Sequence, residues 1–477
     1  MMKILITKEV RNHVLSFRFL VTLLLLLMIV PITTLILTND YVRKQDDYAR
    51  RQTEIQNYLS RYAHFNRIGN VIAPSQPPVP FYTLVRGLSA DVNLDAFDND
   101  PLPVMFPLID LTFIVAILLS LAALIFAYDS VSGEKEDGTL KLMLANGLTR
   151  SKIIAAKLSG GILTLMIPFL VSLAVSLIII LLNPRVAWKG SDWGTLGMIV
   201  VGAVIYFGLF TCLGILISSR HQSSSSSIMT SLFVWVLVVL IIPNLSPYLA
   251  SLLRPTPSQI MINREAHRLG DTDRDALGWK MQQEKTAALL KDYPVLAPVS
   301  RMSDKDIQDA INKDPAFDRA YRVLRKEIEA VWREANAIQG EKIRQVRDDL
   351  NRKVGSQTRL SIILSMASPL ADLTYLTSDL SNTGMRNLKH FETLAGGWGQ
   401  AYRDYANAKM EELRAKDPTL DVWNTPVDIS DMPRFQYREE ALTGRLKSIL
   451  APMTILIILT IILFGAAYIS FIRYDPR

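Results

Sequence analysis

The sequence predicts an all-α membrane protein with six transmembrane helices, both termini inside, and a large, mainly helical extracytoplasmic domain between helices 5 and 6. Three observations carry that prediction. Of 477 residues, 49% are hydrophobic and 20% charged, with a mean hydropathy of +0.21. The apolar residues are bunched into runs almost free of charge, and a run of about 18 or more crosses the hydrocarbon layer as a helix. Lysine and arginine gather beside alternate ends of these runs, which orients them. A soluble enzyme and a secreted disulfide scaffold are excluded. The single cysteine, Cys212, lies inside a run, so there is no disulfide framework and no thiolate metal cluster. His13, His64, His221, His267 and His390 are scattered without ligand spacing, so no metal site is expected.

The runs are Phe19–Leu37, Val104–Tyr128, Ile154–Leu182, Gly194–Ser218, Ile228–Leu253 and Ile449–Ile472, called spans 1 to 6. The first is long and leucine-rich, with no convincing small-residue cleavage site after it, and reads as a signal-anchor. Lys3, Lys8, Arg11 and Arg18 precede it. Lys135, Lys141, Arg150, Lys152 and Lys157 follow span 2, Arg220 follows span 4, and Arg473 and Arg477 follow span 6. Short basic loops stay inside, so the chain reads N-in and C-in. The short outer loop Asn183–Trp193 holds only Arg185 and Lys189, with Trp188 and Trp193 suited to an interfacial belt. Arg43 and Lys44 oppose the bias, but long translocated segments count little in it.

Two segments then lie outside. Residues 38–103 begin with a polar helical stretch, on which Tyr41, Tyr48, Ile55, Tyr58 and Tyr62 share a spacing, and break at Pro74, Pro77, Pro78 and Pro80. Residues 254–447 are too many for a loop and form a domain. Within it a long helix is expected over Asp318–Val354. Tyr321, Leu324, Ile328, Val331, Ala335 and Ile338 make a heptad-like stripe there, with a phase slip near Ile343. The stripe needs a partner, either another helix of the same domain or its twin in a second copy. Leu360–Leu376, interrupted by Pro369, reads either as an interfacial helix or as domain core.

The inner loop after span 2 carries the most information. An acidic cluster (Glu134, Glu136, Asp137) is followed by a break at Gly138-Thr139 and a short amphipathic helix, Leu140–Ala145. A second break at Asn146-Gly147 precedes Thr149, an N-cap for the helix entering span 3. Such a helix suits either docking into a groove of a soluble partner or lying along the membrane. Asp110, near the outer end of span 2, is the one clear carboxylate within a run; it is either functional, in gating or substrate contact, or hydrogen-bonded to a neighbouring helix. Pro168 and Pro243 are expected to kink spans 3 and 5. Ser223–Ser227 reads as a flexible turn or a second partner contact. No catalytic constellation stands out, and the net charge of +7 is spread over cytoplasmic anchors and a mixed-charge ectodomain, so nucleic-acid binding has no support.

Gly133-Glu134, Gly138-Thr139-Leu140, Leu144 and Arg150 to Lys157 together resemble the signature of ABC-2 type permeases, the membrane subunits of ABC exporters. Three further regions resemble the gliding-motility and nitrous-oxide-reductase-accessory branch: Lys8–Phe19, Phe81–Leu88 with Arg86-Gly87-Leu88, and Phe471–Arg477, where Pro476 replaces a more familiar aliphatic residue. Ser368–Ala371 also fits. The large second ectodomain marks a long-insert subgroup. The resemblance implies an interfacial helix over residues 1–18, a coupling-helix loop over residues 129–153 and a cytoplasmic tail over residues 473–477. Gly133, Glu134, Glu136, Gly138, Thr139, Leu140, Leu144 and Arg150 would then sit against a separate cytoplasmic ATPase. It further implies two ATPase copies carrying the ATP and Mg, a second permease copy, and a place in the bacterial inner membrane. The chain itself would bind no cofactor. Leu158-Ser159-Gly160-Gly161 imitates part of the ATPase signature, but there is no lysine loop for phosphate, and its small residues suit close helix approach instead. Two functions remain open: export of an amphiphilic or membrane-derived cargo, or transmission of force to an envelope partner through the ectodomain.

Overall fold

The computed structural model describes residues 2–61, 64–65, 68, 73–88, 109–146, 148–416 and 426–473, and every regular element among them is helical. Residues 104–108 of the expected second span, Gly147 and the tail from residue 474 lie outside the described residues. Six helices are long and apolar enough to cross a membrane, and they follow the order of the six runs. The chain folds as two compact units, one of residues 1–244 with 365–477 and one of residues 245–364.

In the first unit, helix α1 (Met2–Val14) leads into span 1, a single helix of 45 residues, Phe17–Arg61. The helix runs on past the apolar run's end at Leu37 into the polar stretch expected to be helical. No glycine or proline interrupts the polar stretch, and pairs such as Lys44–Asp40 (3.3 Å) support the added turns. Ile55, Tyr58 and Leu59 on those turns pack with Trp398, Tyr402 and Ala406. Span 3 is Arg150–Leu182, span 4 Gly190–Arg220 and span 6 Leu442–Ile472. Spans 2 and 4 are the most enclosed, while spans 1, 5 and 6 leave most of their surface uncovered within the chain. Close approach needs small residues where no hydrophobic drive separates helix from lipid: Gly161 lies against Thr211, and Gly214 against Ala127.

Spans 2 and 5 each contain a π-helical turn, Ile114–Leu119 and Val236–Ile241. In span 5 the cause is Pro243, which has no N–H for the carbonyl one turn earlier and crowds it, so the helix widens just before it. In span 2 the turn is stabilised by side chains. The Ala116 carbonyl accepts from Ser120 Oγ (2.6 Å) and Tyr206 OH (2.8 Å), and Trp235 Nε1 donates to Ser120 Oγ (2.9 Å).

The loop between spans 2 and 3 forms α2 (Ser132–Glu136) and α3 (Thr139–Ala145). In the second unit, α4 (Gln259–His267) leads through a π-turn to α5 (Arg274–Asp292), then α6 (Asp304–Lys313) and the 51-residue α7 (Pro315–Ser365). The stripe on α7 finds its partner inside the unit. Trp332 Nε1 donates to Gln282 Oε1 (2.8 Å), Lys285 pairs with Glu327 (2.9 Å), and Leu324 packs with Leu289 and Leu296. At the phase slip, Ile343 meets Gly270.

The segment 254–447, expected as one domain, is divided between the two units. The apolar stretch Leu360–Leu376 is neither a surface helix nor domain core. Its first residues end α7, Ser368 N-caps a new helix α8 (Pro369–Leu380), and α8 inserts among spans 2, 4, 5 and 6. Burial of Leu373, Leu376 and Leu380 in the bundle core draws it there. Helix α9 (Met385–Lys416) completes the unit.

A Cβ at Gly278 would overlap the Trp332 ring, so Gly278→Ala must part α5 from α7. We expect a stability loss of about 1–3 kcal/mol, read as a lower thermal midpoint of the full chain by tryptophan fluorescence; an unchanged midpoint would show that the two helices do not pack.

Candidate functional site

The loop between spans 2 and 3 is built onto the ends of its neighbours. Val131 N and Ser132 N donate to Ser218 Oγ (3.0 and 2.9 Å), which holds the start of α2 against the end of span 4. Lys135 Nζ donates to the Ser219 carbonyl (2.6 Å) and the His221 carbonyl (3.0 Å), placing a cation where a helix C-terminus is negative. Gly138 turns the chain from α2 to α3 at φ 69°, the left-handed region that glycine enters without strain. No neighbour crowds the position of its missing Cβ, so conformation and not space demands glycine.

Helix α3 has two unlike faces. Leu140 is fully buried among Ala127, Val131, Ile153, Ile154, Ile215 and Phe471, with Met143 and Leu144 packed beside it. On the opposite face Thr139, Lys141, Leu142, Ala145 and Asn146 are exposed, Leu142 by 64%. The exposed face continues into Glu136 and Asp137.

Beneath this loop lies a buried charge cluster. Lys157, near the start of span 3, is 4% exposed. Its ammonium pairs with Glu134 at 2.7 Å and Glu9 of α1 at 3.6 Å, and Lys8 reaches Glu134 at 3.9 Å. Helix α1 comes this close because Gly160 has no side chain: a Cβ there would stand 2.7 Å from the Glu9 Cβ. Span 1 is tied to the same end of the bundle. Arg18 pairs with Asp129 (2.8 Å) and donates to Tyr128 OH (2.8 Å) and the Ile125 carbonyl (3.1 Å). Lys8 Nζ also contacts the Met143 sulfur at 3.8 Å.

The eight residues expected against a partner therefore divide. Glu134, Leu140 and Leu144 turn inward, and Arg150 donates to the Ile472 carbonyl at the end of span 6. Gly138 shapes the backbone and Gly133 lies within α2, while Glu136 accepts from Ser224 Oγ at 2.6 Å. Glu136 and Thr139 remain on the outward side with Lys141 and Leu142. Sequence reasoning missed the partners of Lys157; the signal was a lysine standing eight residues inside a helix otherwise entering an apolar run. Ser223–Ser227 is ordered, with Ser223 capping span 5 through the Ser226 N–H and Ser227 Oγ donating to the Tyr128 carbonyl (2.6 Å).

At the opposite end of the bundle, Asp110 is the N-cap of span 2. Its Oδ1 accepts from Phe113 N (2.8 Å) and its Oδ2 from Arg86 N (3.1 Å), and Leu111 N donates to the Leu84 carbonyl (3.0 Å). The carboxylate clasps the segment 84–87 to the head of the span. Gly87, at φ 71°, brings that segment against Thr383, where a Cβ would overlap the backbone.

Residues 3–475 match the family model described as "ABC-2 family transporter protein". The probable ABC transporter permease protein NosY of Stutzerimonas stutzeri is 28% identical over 169 residues, covering 32% of this chain and 61% of that protein. The protein of the same description from Pseudomonas aeruginosa is 31% identical over 170 residues, with the same shares. The chain thus spans about three-fifths of the length of these curated relatives.

Removing the Lys157 ammonium would strand Glu134 and Glu9 together. We expect Lys157→Met to cost about 3 kcal/mol, the lower end for breaking a buried pair because both carboxylates keep some solvent contact. Thermal unfolding and limited proteolysis at the α2–α3 loop check this, with partial recovery in the Lys157→Glu, Glu134→Lys exchange.

Proposed function

The chain belongs to the ABC-2 transporter family as a permease-type membrane subunit, and on that premise we propose that it couples a separate cytoplasmic ATPase to export. The observation that carries the reading is the two-faced helix α3, anchored by Leu140 and exposing Thr139, Lys141 and Leu142. An exposed apolar residue ringed by polar ones on a short, rigidly backed helix suits a groove on a soluble partner. Because α3 rests on the ends of spans 2, 3, 4 and 6 and touches α1 through Met143 and Lys8, force applied to its free face has a direct route into the bundle.

In this reading the loop end faces the cytoplasm, consistent with its basic flanks, and the chain sits in the bacterial inner membrane. Two copies would work with two ATPases, which bind the ATP and Mg. The broad uncovered faces of spans 1, 5 and 6 are available to the second copy and to lipid. The cargo is amphiphilic or drawn from the membrane, since few charged groups line the apolar bundle. Asp110 and its clasp on residues 84–87 form the gate at the outer end. The alternative, force transmission to an envelope partner without cargo, draws on the 51-residue helix α7 of the second unit.

Two experiments test this. Affinity purification in mild detergent should recover an ABC ATPase with the wild-type chain and lose it with Leu142→Asp, while Leu142→Asp keeps its thermal midpoint because the side chain is mostly exposed. Equal recovery from both would remove α3 from the coupling. Asp110→Asn keeps one of two acceptors and should lower transport in proteoliposomes without lowering membrane abundance; unchanged transport would leave Asp110 as a cap alone.

A further inference from the structure

Helix α8 is held among the spans by a nearly complete set of polar contacts. Ser368 Oγ donates to the Val238 carbonyl (2.6 Å), inside the π-turn of span 5. Thr112 Oγ1 donates to Thr377 Oγ1 (2.9 Å) from the head of span 2. Arg445 Nη1 donates to the Leu380 carbonyl (3.0 Å) and so caps the far end. Thr374 and Ser378 donate back to carbonyls of their own helix, and the Tyr375 hydroxyl pairs with Ser365 Oγ (2.8 Å).

Asp372 is the exception. It is 0% exposed, and neither carboxylate oxygen has a hydrogen-bond partner among the described residues. It shares a helix face with Leu376, four residues on, whose side chain packs onto Gly202 of span 4. The titratable and charged groups on the surrounding elements are otherwise engaged or distant in chemistry. Asp110, before span 2, holds the Phe113 and Arg86 N–H groups. On span 4, Tyr206 donates to the Ala116 carbonyl, Asp192 accepts from Lys189 N, and Cys212 and Arg220 make no bond to Asp372. On span 6, Arg445 serves Leu380, while Lys447 is exposed and Tyr468 packs with Phe464. On α9, Arg386 pairs with Glu440 (2.6 Å) and His390 with the Arg438 carbonyl. The π-turn of span 5 carries none.

An ionised carboxylate in apolar surroundings without any partner costs several kcal/mol, and such a group neutralises instead. The ligand that neutralises a lone buried carboxylate is a proton. Both π-turns of the bundle abut α8, and such turns recur at functional sites. We propose that Asp372 is a proton-binding site: the carboxyl is protonated while α8 is packed among the spans, and it releases the proton when α8 moves and water reaches it. Burial pushes this carboxyl up to about 8, in accord with that geometry. The release step rests on the ATP-driven reading above; the resting protonation does not.

The test uses the full chain in lipid nanodiscs without nucleotide, so its failure and the failure of the permease reading are seen separately. Infrared difference spectra of wild type against Asp372→Asn, stepped from about pH 5 to about pH 10, should show a protonated-carboxyl carbonyl band at neutral pH that is lost in the variant. ¹³C-aspartate labelling of the wild type must shift the same band, which keeps the result readable if the variant folds poorly. Thermal stability supplies a second readout. The folded chain holds a proton that the unfolded chain releases above about pH 4, so wild-type stability falls from there toward pH 8 and then levels, and Asp372→Asn removes that slope. A carboxylate already ionised at neutral pH, or a band unchanged by the substitution, overturns the proposal.

Discussion

A lysine ammonium shut away from water is stable only with its countercharge beside it, and the loop end of this protein is organised around that requirement. Lys157 enters the bundle on span 3, Glu134 comes down from α2, and Glu9 comes across on α1 through the gap left by Gly160. Three segments distant in sequence are fixed by one charge. Leu140 can then bury against the span ends because α2 is already placed, and the outer face of α3 is set as a consequence. Rigidity behind an exposed face is what lets a contact do mechanical work.

The other end of the bundle obeys the same constraint by different means. Where helices break within an apolar medium, each freed backbone group needs a partner. Asp110 caps span 2, Ser368 fills the π-turn of span 5, and Arg445 closes α8. Against that background an unpartnered Asp372 stands out as chemistry and not as loose construction. The two ends thus differ: ion pairs hold the loop end together, and a buried carboxyl without a hydrogen bond among the described residues lies on α8.

Much of this was legible along the chain. The six apolar runs predict six long helices because the hydrocarbon layer demands length and apolarity of each span independently. The heptad-like stripe on residues 318–354 predicts the long helix α7, since periodicity is local to the helix that carries it. The break at Gly138 was visible because only a special backbone angle needs glycine there. What escaped was direction. Glu134 and Leu140 look as available to a partner as Leu142 does until the neighbours that cover them are known, and those neighbours lie on α1 and spans 2, 3, 4 and 6.

The sequence by itself determined the class of protein, the number and order of its long apolar helices and the position of the breaks that shape the loop between spans 2 and 3, because hydropathy, helix periodicity and turn chemistry act over a few residues at a time. Only the tertiary structure decided which side of α3 is free, where α8 goes and which carboxylates are satisfied. Those outcomes depend on burial, and burial is a property of segments far apart in the chain meeting in space: Lys157 with Glu9, Asp110 with Arg86, and Asp372 shut in without a hydrogen-bond partner among the described residues.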